Sequence, residues 1–216
     1  MRARILLFTA IMSLASLSLA AQHSVFTSPL TAALRPSLVR VCGRFTNDAI
    51  VRGSFSQVKT LARLSKSFTS RGRFVFAVSR GILWELDTPF ASTTIITGDR
   101  LVQRAPDGKT SILEGSANPV FRRFAETLHA VFAGNLAVIE EQFDLYFEGQ
   151  AEAQWRLGLV PKDSTMRGVI ASLEISGDIH LREVLLTEEG QDTVRYTFTD
   201  VQSAGALTPD EERLFF

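Results

Sequence analysis

The chain has 216 residues, 45% of them apolar, with 23 basic and 23 acidic residues and a formal net charge of +0. A chain without a basic excess lacks the electrostatic footprint of a nucleic-acid binder, so no nucleic-acid partner is expected. Cys42 is the single cysteine, which excludes an internal disulfide even in an oxidising compartment. Sixteen Phe against two Tyr and two Trp favour a dry interior, either an ordinary core or one with an apolar cavity.

The N-terminal twenty residues have the pattern of a signal peptide. Two arginines precede an apolar stretch over residues 5–15, and Ser18 and Ala20 are small residues of the kind that a signal peptidase reads. The alternative is a single N-terminal anchor, although the stretch is short for a bilayer core of about 30 Å. No cysteine follows that could carry a lipid. We therefore predict a signal peptide at 1–20 and one soluble, exported domain at 21–216.

A helix and then a series of strands follow along the chain. Ser28-Pro29 pairs a capping residue with proline, which predicts a helix from there to about Arg44, kinked or divided at Pro36. Alternating or short apolar runs then predict strands. These predicted strands cover residues 51–58, 73–79, 82–86, 93–97, 100–105, 109–113, 143–147, 154–160, 168–175, 179–187 and 193–201.

A helical insertion interrupts the strands. Asn118-Pro119 repeats the cap-plus-proline signal, apolar residues recur at helical spacing over 120–132, and Gly134 stands where a C-terminal glycine belongs. A shorter helix is predicted over 136–142. No strand alternates with helices as in a βαβ unit, so the sheet should be antiparallel. A long antiparallel sheet must curl and cover its apolar face, which predicts a half-open barrel with a helical lid.

No combination of residues has the spacing of a catalytic or metal site. His23, His129 and His180 are far apart in the sequence, and no HExxH, nucleophile-elbow or phosphate-loop motif is present. The acidic doublets Glu140-Glu141 and Glu188-Glu189 consist of neighbours that point apart, as expected of a solvated face. We predict no cofactor, no metal and no enzymatic activity.

Four segments, taken in order, resemble the bacterial periplasmic outer-membrane lipoprotein carrier family, the LolA/LolB-like proteins. Gly53-Ser54-Phe55-Ser56-Gln57 matches the family's G-x-F-x-Q strand, and Ser70-Arg71-Gly72-Arg73-Phe74 carries the G-x-F of the next strand. Ser79-Arg80-Gly81-Ile82-Leu83-Trp84 is similar to R-P-G-x-x-R-W, with Pro89 closing that strand. Trp155 to Pro161 is similar to the family's W-x-L-x-P strand.

The resemblance implies a mainly β fold with a helical lid. In this LolA-like architecture about 11 antiparallel strands form an unclosed half-barrel, which α-helices cover, around a hydrophobic cavity for acyl chains. Family members carry lipoproteins across the periplasm from an inner-membrane, ATP-driven release complex to an outer-membrane acceptor. Arg80 matches the arginine that the family associates with lid closure, although Gly81 follows it directly and Leu83 replaces the second arginine of the motif. The Phe-rich helix over 120–132 and the motif Gly81 to Trp84 resemble a branch of the family whose members are similar to companions of lipid or glycolipid exporters.

We therefore predict a periplasmic carrier of an acylated lipoprotein or another lipid cargo. The predicted cargo and lid residues are Arg80, Trp84, Phe55, Phe74, Phe76, Phe121, Phe124, Leu128 and Phe132. Two alternatives remain open: a periplasmic sensor or adaptor that uses the same fold to bind a protein partner, and an enzyme such as an esterase.

Overall fold

A computed structural model describes residues 24–45, 49–116, 119–150 and 153–215. The predicted signal peptide at 1–20 lies outside the described residues. The helices are α1 (Arg35–Phe45), α2 (Pro119–Phe132), α3 (Leu136–Gln142), α4 (Ser164–Arg167) and α5 (Pro209–Leu214). The strands are β1 (Ile50–Leu61), β2 (Lys66–Ala77), β3 (Gly81–Thr88), β4 (Ser92–Ile96), β5 (Arg100–Arg104), β6 (Thr110–Glu114), β7 (Phe143–Gly149), β8 (Trp155–Pro161), β9 (Ile170–Gly177), β10 (Leu181–Glu188) and β11 (Thr193–Ala204).

All eleven strands belong to one antiparallel sheet in the order β6-β5-β4-β3-β2-β1-β11-β10-β9-β8-β7. Apart from β6 and β7, strands that are consecutive in the chain pair with each other, and the β1–β11 pair joins distant parts of the sequence. The two ends of the sheet, β6 and β7, do not pair with each other in the described residues. This confirms the predicted unclosed antiparallel sheet of about eleven strands.

The sheet curls strongly. Thr94 on β4 and Leu173 on β9 line the same cavity, although five strands lie between β4 and β9 in the sheet. Neighbouring strands are about 4.8 Å apart, so a flat sheet would separate these residues by roughly 29 Å. The sheet is therefore a half-barrel with a concave inner face and a convex outer face.

Helices cover the inner face. Leu38, Val41 and Cys42 of α1 are buried in the same cluster as Ile139 of α3 and the inner-face strand residues. Gly134, just after α2, has a φ of +62° and lies so close to α1 that an added Cβ would be 2.2 Å from the Cys42 carbonyl oxygen. The glycine predicted to end α2 is thus required both by its backbone conformation and by the close approach of the two helices.

The predicted start of the first helix at Ser28-Pro29 is wrong. Residues 28–30 run along the edge of the sheet, where the amide of Leu30 donates to the Leu145 carbonyl (2.9 Å) and the amide of Phe147 donates to the Ser28 carbonyl (2.9 Å). Proline suits an edge because it has no N–H to contribute to a ladder. The helix begins at Arg35, which places Pro36 in its first turn, where proline is tolerated.

The outer face has its own small apolar cluster under the C-terminus. Val75, Leu83 and Ile95 are buried there with Phe215, which follows α5. The capping box of Thr208 and Glu211 starts α5 and fixes its direction. Within the described part of the chain, no helix is long and apolar enough to cross a membrane.

Candidate functional site: an apolar cavity beneath the helices

An aromatic cluster occupies the middle of the inner face. Its members are Phe55, Phe74, Trp84, Phe132, Tyr196 and Phe198. The rings of Phe55 and Trp84 have their centroids 4.1 Å apart, and those of Phe74 and Phe198 are 5.3 Å apart, edge to face. Strand register explains the assembly, because Phe55 is paired with Phe198 across β1 and β11. Four strands and α2 thus contribute rings to one surface.

The larger inner-face cavity lies beside this cluster and has a volume of about 260 Å³. Its lining comes from β1, β3, β4, α2 and β9 to β11, and polar side chains are in the minority. The lining residues are Gln57, Ile82, Trp84, Leu86, Thr94, Ile96, Phe132, Leu173, Val184, Leu186, Tyr196 and Phe198. A concave, mostly apolar space with a few polar groups is typical of sites for apolar ligands.

A smaller cavity of about 80 Å³ lies beneath α1 and α2. It shares Phe132 and Phe198 with the larger cavity, so these two rings lie between the two spaces. Cys42 lines the smaller cavity, and burial raises the pKa of its thiol to about 11. Cys42 is a free, buried cysteine, and a thiol with such a pKa stays protonated and unreactive at neutral pH.

Burial also raises the pKa of Tyr196 to about 12, with a smaller contribution from the negative charge of Glu188. The phenol therefore stays neutral at any physiological pH. Its ring lies edge-on to Trp84, with centroids 5.3 Å apart. The larger cavity accordingly presents an uncharged wall at this point, as an acyl chain requires.

The rim beneath α2 contains Arg80. A surface pocket of about 320 Å³ is lined by Arg80 from the β2–β3 turn and by Glu126 and His129 from α2. Nε2 of His129 lies 2.8 Å from the Val78 carbonyl oxygen and links α2 directly to that turn. Gly81, with a φ of +127°, would place a Cβ 2.1 Å from the Ile96 carbonyl oxygen, so only glycine fits after Arg80.

Several of the residues predicted to bind cargo lie together. Phe55, Phe74, Trp84 and Phe132 belong to the aromatic cluster, and Phe76 is fully buried with its ring 5.2 Å from that of Phe132. Phe121, Phe124 and Leu128 lie on α2, but their side chains are outside the described part of the structure. Their role in the cavity stays a prediction.

Sequence reasoning missed the contribution of β9 to β11. Tyr196 and Phe198 alternate with polar residues in β11, and this alternation predicts that the two rings share one face of the strand. Their position next to Phe55, however, depends on the β1–β11 pairing. Leu173 and Leu186 reach the cavity only because the sheet curls. No local pattern specifies either property.

Two of the acidic residues that were considered as catalytic candidates form ion pairs with basic side chains. Glu140 forms an ion pair with Arg35, and Glu188 with Lys59, as expected for solvated faces. Among the described residues no group of three or more His, Cys, Asp and Glu side chains could hold a metal ion. The arrangement on the inner face can bind an apolar molecule.

The family model of the outer membrane lipoprotein carrier protein LolA matches residues 49–211. The chain belongs to the LolA family. This match covers every strand of the sheet and thus accounts for the fold. None of the curated proteins matches the sequence.

Solved structures are similar to the chain at low sequence identity. A LolA superfamily protein from Nitrosomonas europaea is 8% identical with a TM-score of 0.48, covering 84% of this chain and 96% of its own. LprF from Mycobacterium bovis is 12% identical with a TM-score of 0.40, covering 84% and 98%. The MucA/MucB complex of Pseudomonas aeruginosa contains a chain that is 16% identical with a TM-score of 0.41, covering 83% and 60%.

Proposed function

We propose that this protein is a periplasmic carrier that shields the acyl chains of a lipoprotein, or of another lipidated or glycolipid cargo, during transfer from the inner to the outer membrane. The observation that carries the proposal is the cavity of about 260 Å³ between the curled sheet and α2, with its predominantly apolar lining. The partners would be an inner-membrane exporter or ATP-driven release complex and an outer-membrane acceptor.

The cavity is smaller than the proposed cargo. Its volume lies just below the lower end, about 300 Å³, of the pockets that hold small ligands. A cargo with two or three acyl chains needs more room than this. Cargo entry would therefore require α2 to move away from the sheet, and the contacts of Arg80 and His129 at its rim would regulate that movement.

A matched pair of variants in β4 tests the proposal. Thr94 faces the cavity opposite Trp84, whereas its neighbour Thr93 pairs with Glu85 and points to the other face. Thr94→Trp should fill the cavity and lower the affinity for a fluorescent fatty acid by at least roughly tenfold, since several methylenes would lose their contacts. Thr93→Trp introduces the same side chain into the same strand outside the cavity.

The proposal predicts wild-type fatty-acid binding by Thr93→Trp and weak binding by Thr94→Trp, with both proteins showing the same circular dichroism. If the two variants bind the probe equally, the inner-face cavity is not the acyl site. Trp is well accepted in strands, so neither substitution should prevent folding.

A further inference from the structure

The hairpin formed by β1 and β2 extends beyond the end of the neighbouring strand β3. β3 ends at Thr88, which pairs with Arg71, so residues 66–70 of β2 have no partner strand on that side within the described part of the chain. Every residue from 62 to 69 is exposed. We call residues 61–69 the hairpin tip.

Two large apolar side chains are exposed on the hairpin tip. Leu64 is 62% exposed and Phe68 is 56% exposed. Single exposed apolar residues are common on protein surfaces, so exposure alone indicates nothing. Phe68 is distinguished by the face of the sheet on which it lies. Along β2 it is an even number of residues from Phe74, and its partner Lys59 is an even number of residues from Phe55 in β1. Phe68 therefore shares the inner face with Phe55 and Phe74. The inner face that lines the cavity thus continues outward to Phe68.

The charged residues of the hairpin tip itself are all basic, although the neighbouring β10–β11 turn brings the Asp192 carboxylate to the Ala62 amide. Residues 59–71 contain Lys59, Arg63, Lys66 and Arg71 and no acidic residue, although the whole chain is neutral. Lys59 forms an ion pair with Glu188. For Arg63 and Lys66, which flank Leu64, no ion pair exists within the described residues. Two cations without an ion-pair partner among the described residues therefore flank an exposed leucine.

The hairpin tip is held in place and does not depend on a partner for its shape. The amide of Ala62 donates to the Asp192 carboxylate in the β10–β11 turn (2.9 Å), and the hydroxyls of Thr60 and Ser67 lie 2.9 Å apart across the hairpin. Ser65 turns the chain in the left-handed conformation. A pre-ordered apolar tip loses little entropy when it binds.

We propose that the hairpin tip docks the protein on the surface of an anionic phospholipid bilayer. Leu64 and Phe68 would enter the boundary between headgroups and acyl chains, and Arg63 and Lys66 would contact lipid phosphates, as basic residues beside apolar anchors do at interfaces. This inference rests on the proposed carrier function, because the inner face that lines the cavity continues along β2 to Phe68 at the hairpin tip.

Flotation with vesicles tests the docking. The protein is mixed with vesicles of phosphatidylethanolamine and phosphatidylglycerol, or of phosphatidylcholine alone, at low and high salt. The wild type should float with the anionic vesicles at low salt. Leu64→Ser combined with Phe68→Ser should reduce the bound fraction by roughly tenfold. Arg63→Gln and Lys66→Gln should each reduce it by about fivefold on anionic vesicles.

Substitutions of equally exposed apolar residues outside the hairpin tip serve as matched controls for the flotation experiment. Ile179, in the β9–β10 turn at the opposite end of the sheet, is 60% exposed, and Ile112 on β6 is 56% exposed. Ile179→Ser and Ile112→Ser should leave flotation unchanged. Brominated lipid should quench the fluorescence of a Trp introduced by Leu64→Trp but not that of one introduced by Ile112→Trp, since Ile112 lines neither inner-face cavity. This comparison separates insertion of the tip from lipid uptake by the cavity.

The outcomes distinguish this inference from the proposed function. Fatty-acid binding by the Leu64→Ser, Phe68→Ser variant should remain at the wild-type level, because Leu64 and Phe68 lie outside the cavity. If the wild type does not float, or if Ile179→Ser loses as much binding as the tip variant, the docking proposal is overturned while the carrier proposal stands. Tip variants that float normally but lose contact with a membrane protein would also overturn it.

Discussion

Phe132 lies at the end of α2 and lines both inner-face cavities, the larger of about 260 Å³ and the smaller of about 80 Å³. Its ring contacts those of Phe74, Phe76 and Phe198 at centroid distances of 6.0, 5.2 and 6.1 Å. A single side chain therefore contributes to the separation of the two spaces and attaches the lid helix to the sheet.

Phe132→Ala should join the two cavities. Removing the ring should lower the free energy of unfolding by about 3 kcal/mol, the low end for a Phe truncation, since Phe132 is only partly buried. The enlarged space should bind long fatty acids better relative to short ones. Denaturant unfolding and a chain-length series of fatty acids measure the two effects. Phe26→Ala, which removes a ring outside both cavities, should not change the chain-length preference.

At the scale of elements, one contact with the sheet holds α5 in place and another holds α2. A testable prediction follows from each contact. On the outer face, Arg52 of β1 donates to the Glu211 carboxylate through Nε (2.6 Å) and Nη2 (2.5 Å), and Nη2 also donates to the Ala206 carbonyl (2.7 Å). This fixes α5 over the outer-face cluster. On the inner face, the β2–β3 turn contacts α2 through His129.

The pair of Arg52 and Glu211 should make stability depend on pH. The hydrogen bond from Arg52 is the largest cause that holds the pKa of Glu211 below its usual value. Its contribution is therefore present above the unfolded pKa of about 4.3 and is lost as pH falls through the lower folded pKa. The difference in melting temperature between wild type and Glu211→Gln should be largest near pH 6–7 and shrink below about pH 4. Glu212→Gln, on the same helix, provides the control, and a difference that grows on acidification would contradict the assignment.

Arg80 provides the lid prediction. If its guanidinium holds α2 against the β2–β3 turn, Arg80→Leu should favour the open lid by about 1–3 kcal/mol, the range for hydrogen bonds to a charged group. The variant should load labelled acylated cargo at least as well as the wild type. It should release the cargo poorly to membranes, because closing of the lid would no longer favour expulsion of the bound lipid. Arg100→Leu, at a strand start at the same end of the sheet, is the control. Transfer by Arg80→Leu at the wild-type rate would exclude the latch.

The sequence predicted strands and helices well because their signals are local. Phe74, Phe76 and Val78 alternate and predicted β2, and the cap-plus-proline signal at Asn118-Pro119 predicted α2. The same signal at Ser28-Pro29 failed because those residues complete the edge of the sheet beside β7, a long-range pairing. The beginning of β2 at Lys66 was also missed, since residues 66–70 are mostly polar and exposed.

Only part of the candidate site could be predicted from the sequence, because some of its residues come together through long-range strand pairing. Phe55, Phe74 and Trp84 come from consecutive hairpin strands, so family motifs and alternation could identify them together. Tyr196 and Phe198 enter the site through the β1–β11 pairing, which joins residues about 140 positions apart in the chain and leaves no local signal.

At the scale of the whole molecule, the proposed function poses a simple physical problem. Each methylene removed from water contributes about 0.8 kcal/mol, so an acyl chain of about fifteen methylenes is unfavourable in water by roughly 12 kcal/mol. The concave inner face of the curled sheet supplies an apolar wall, and helices cover part of it. The outer face bears the charged pairs of Arg156 with Glu174 and of Arg182 with Asp178, which keep it hydrated.

Mass spectrometry of the protein purified from its native compartment tests the carrier function most directly. Native spectra should show wild-type protein with an acylated molecule bound, which organic extraction should release and identify, while Thr94→Trp protein should carry much less and Thr93→Trp protein as much as the wild type. An empty cavity in every preparation, together with a stably bound partner protein, would contradict the carrier function and favour an adaptor built on the same fold.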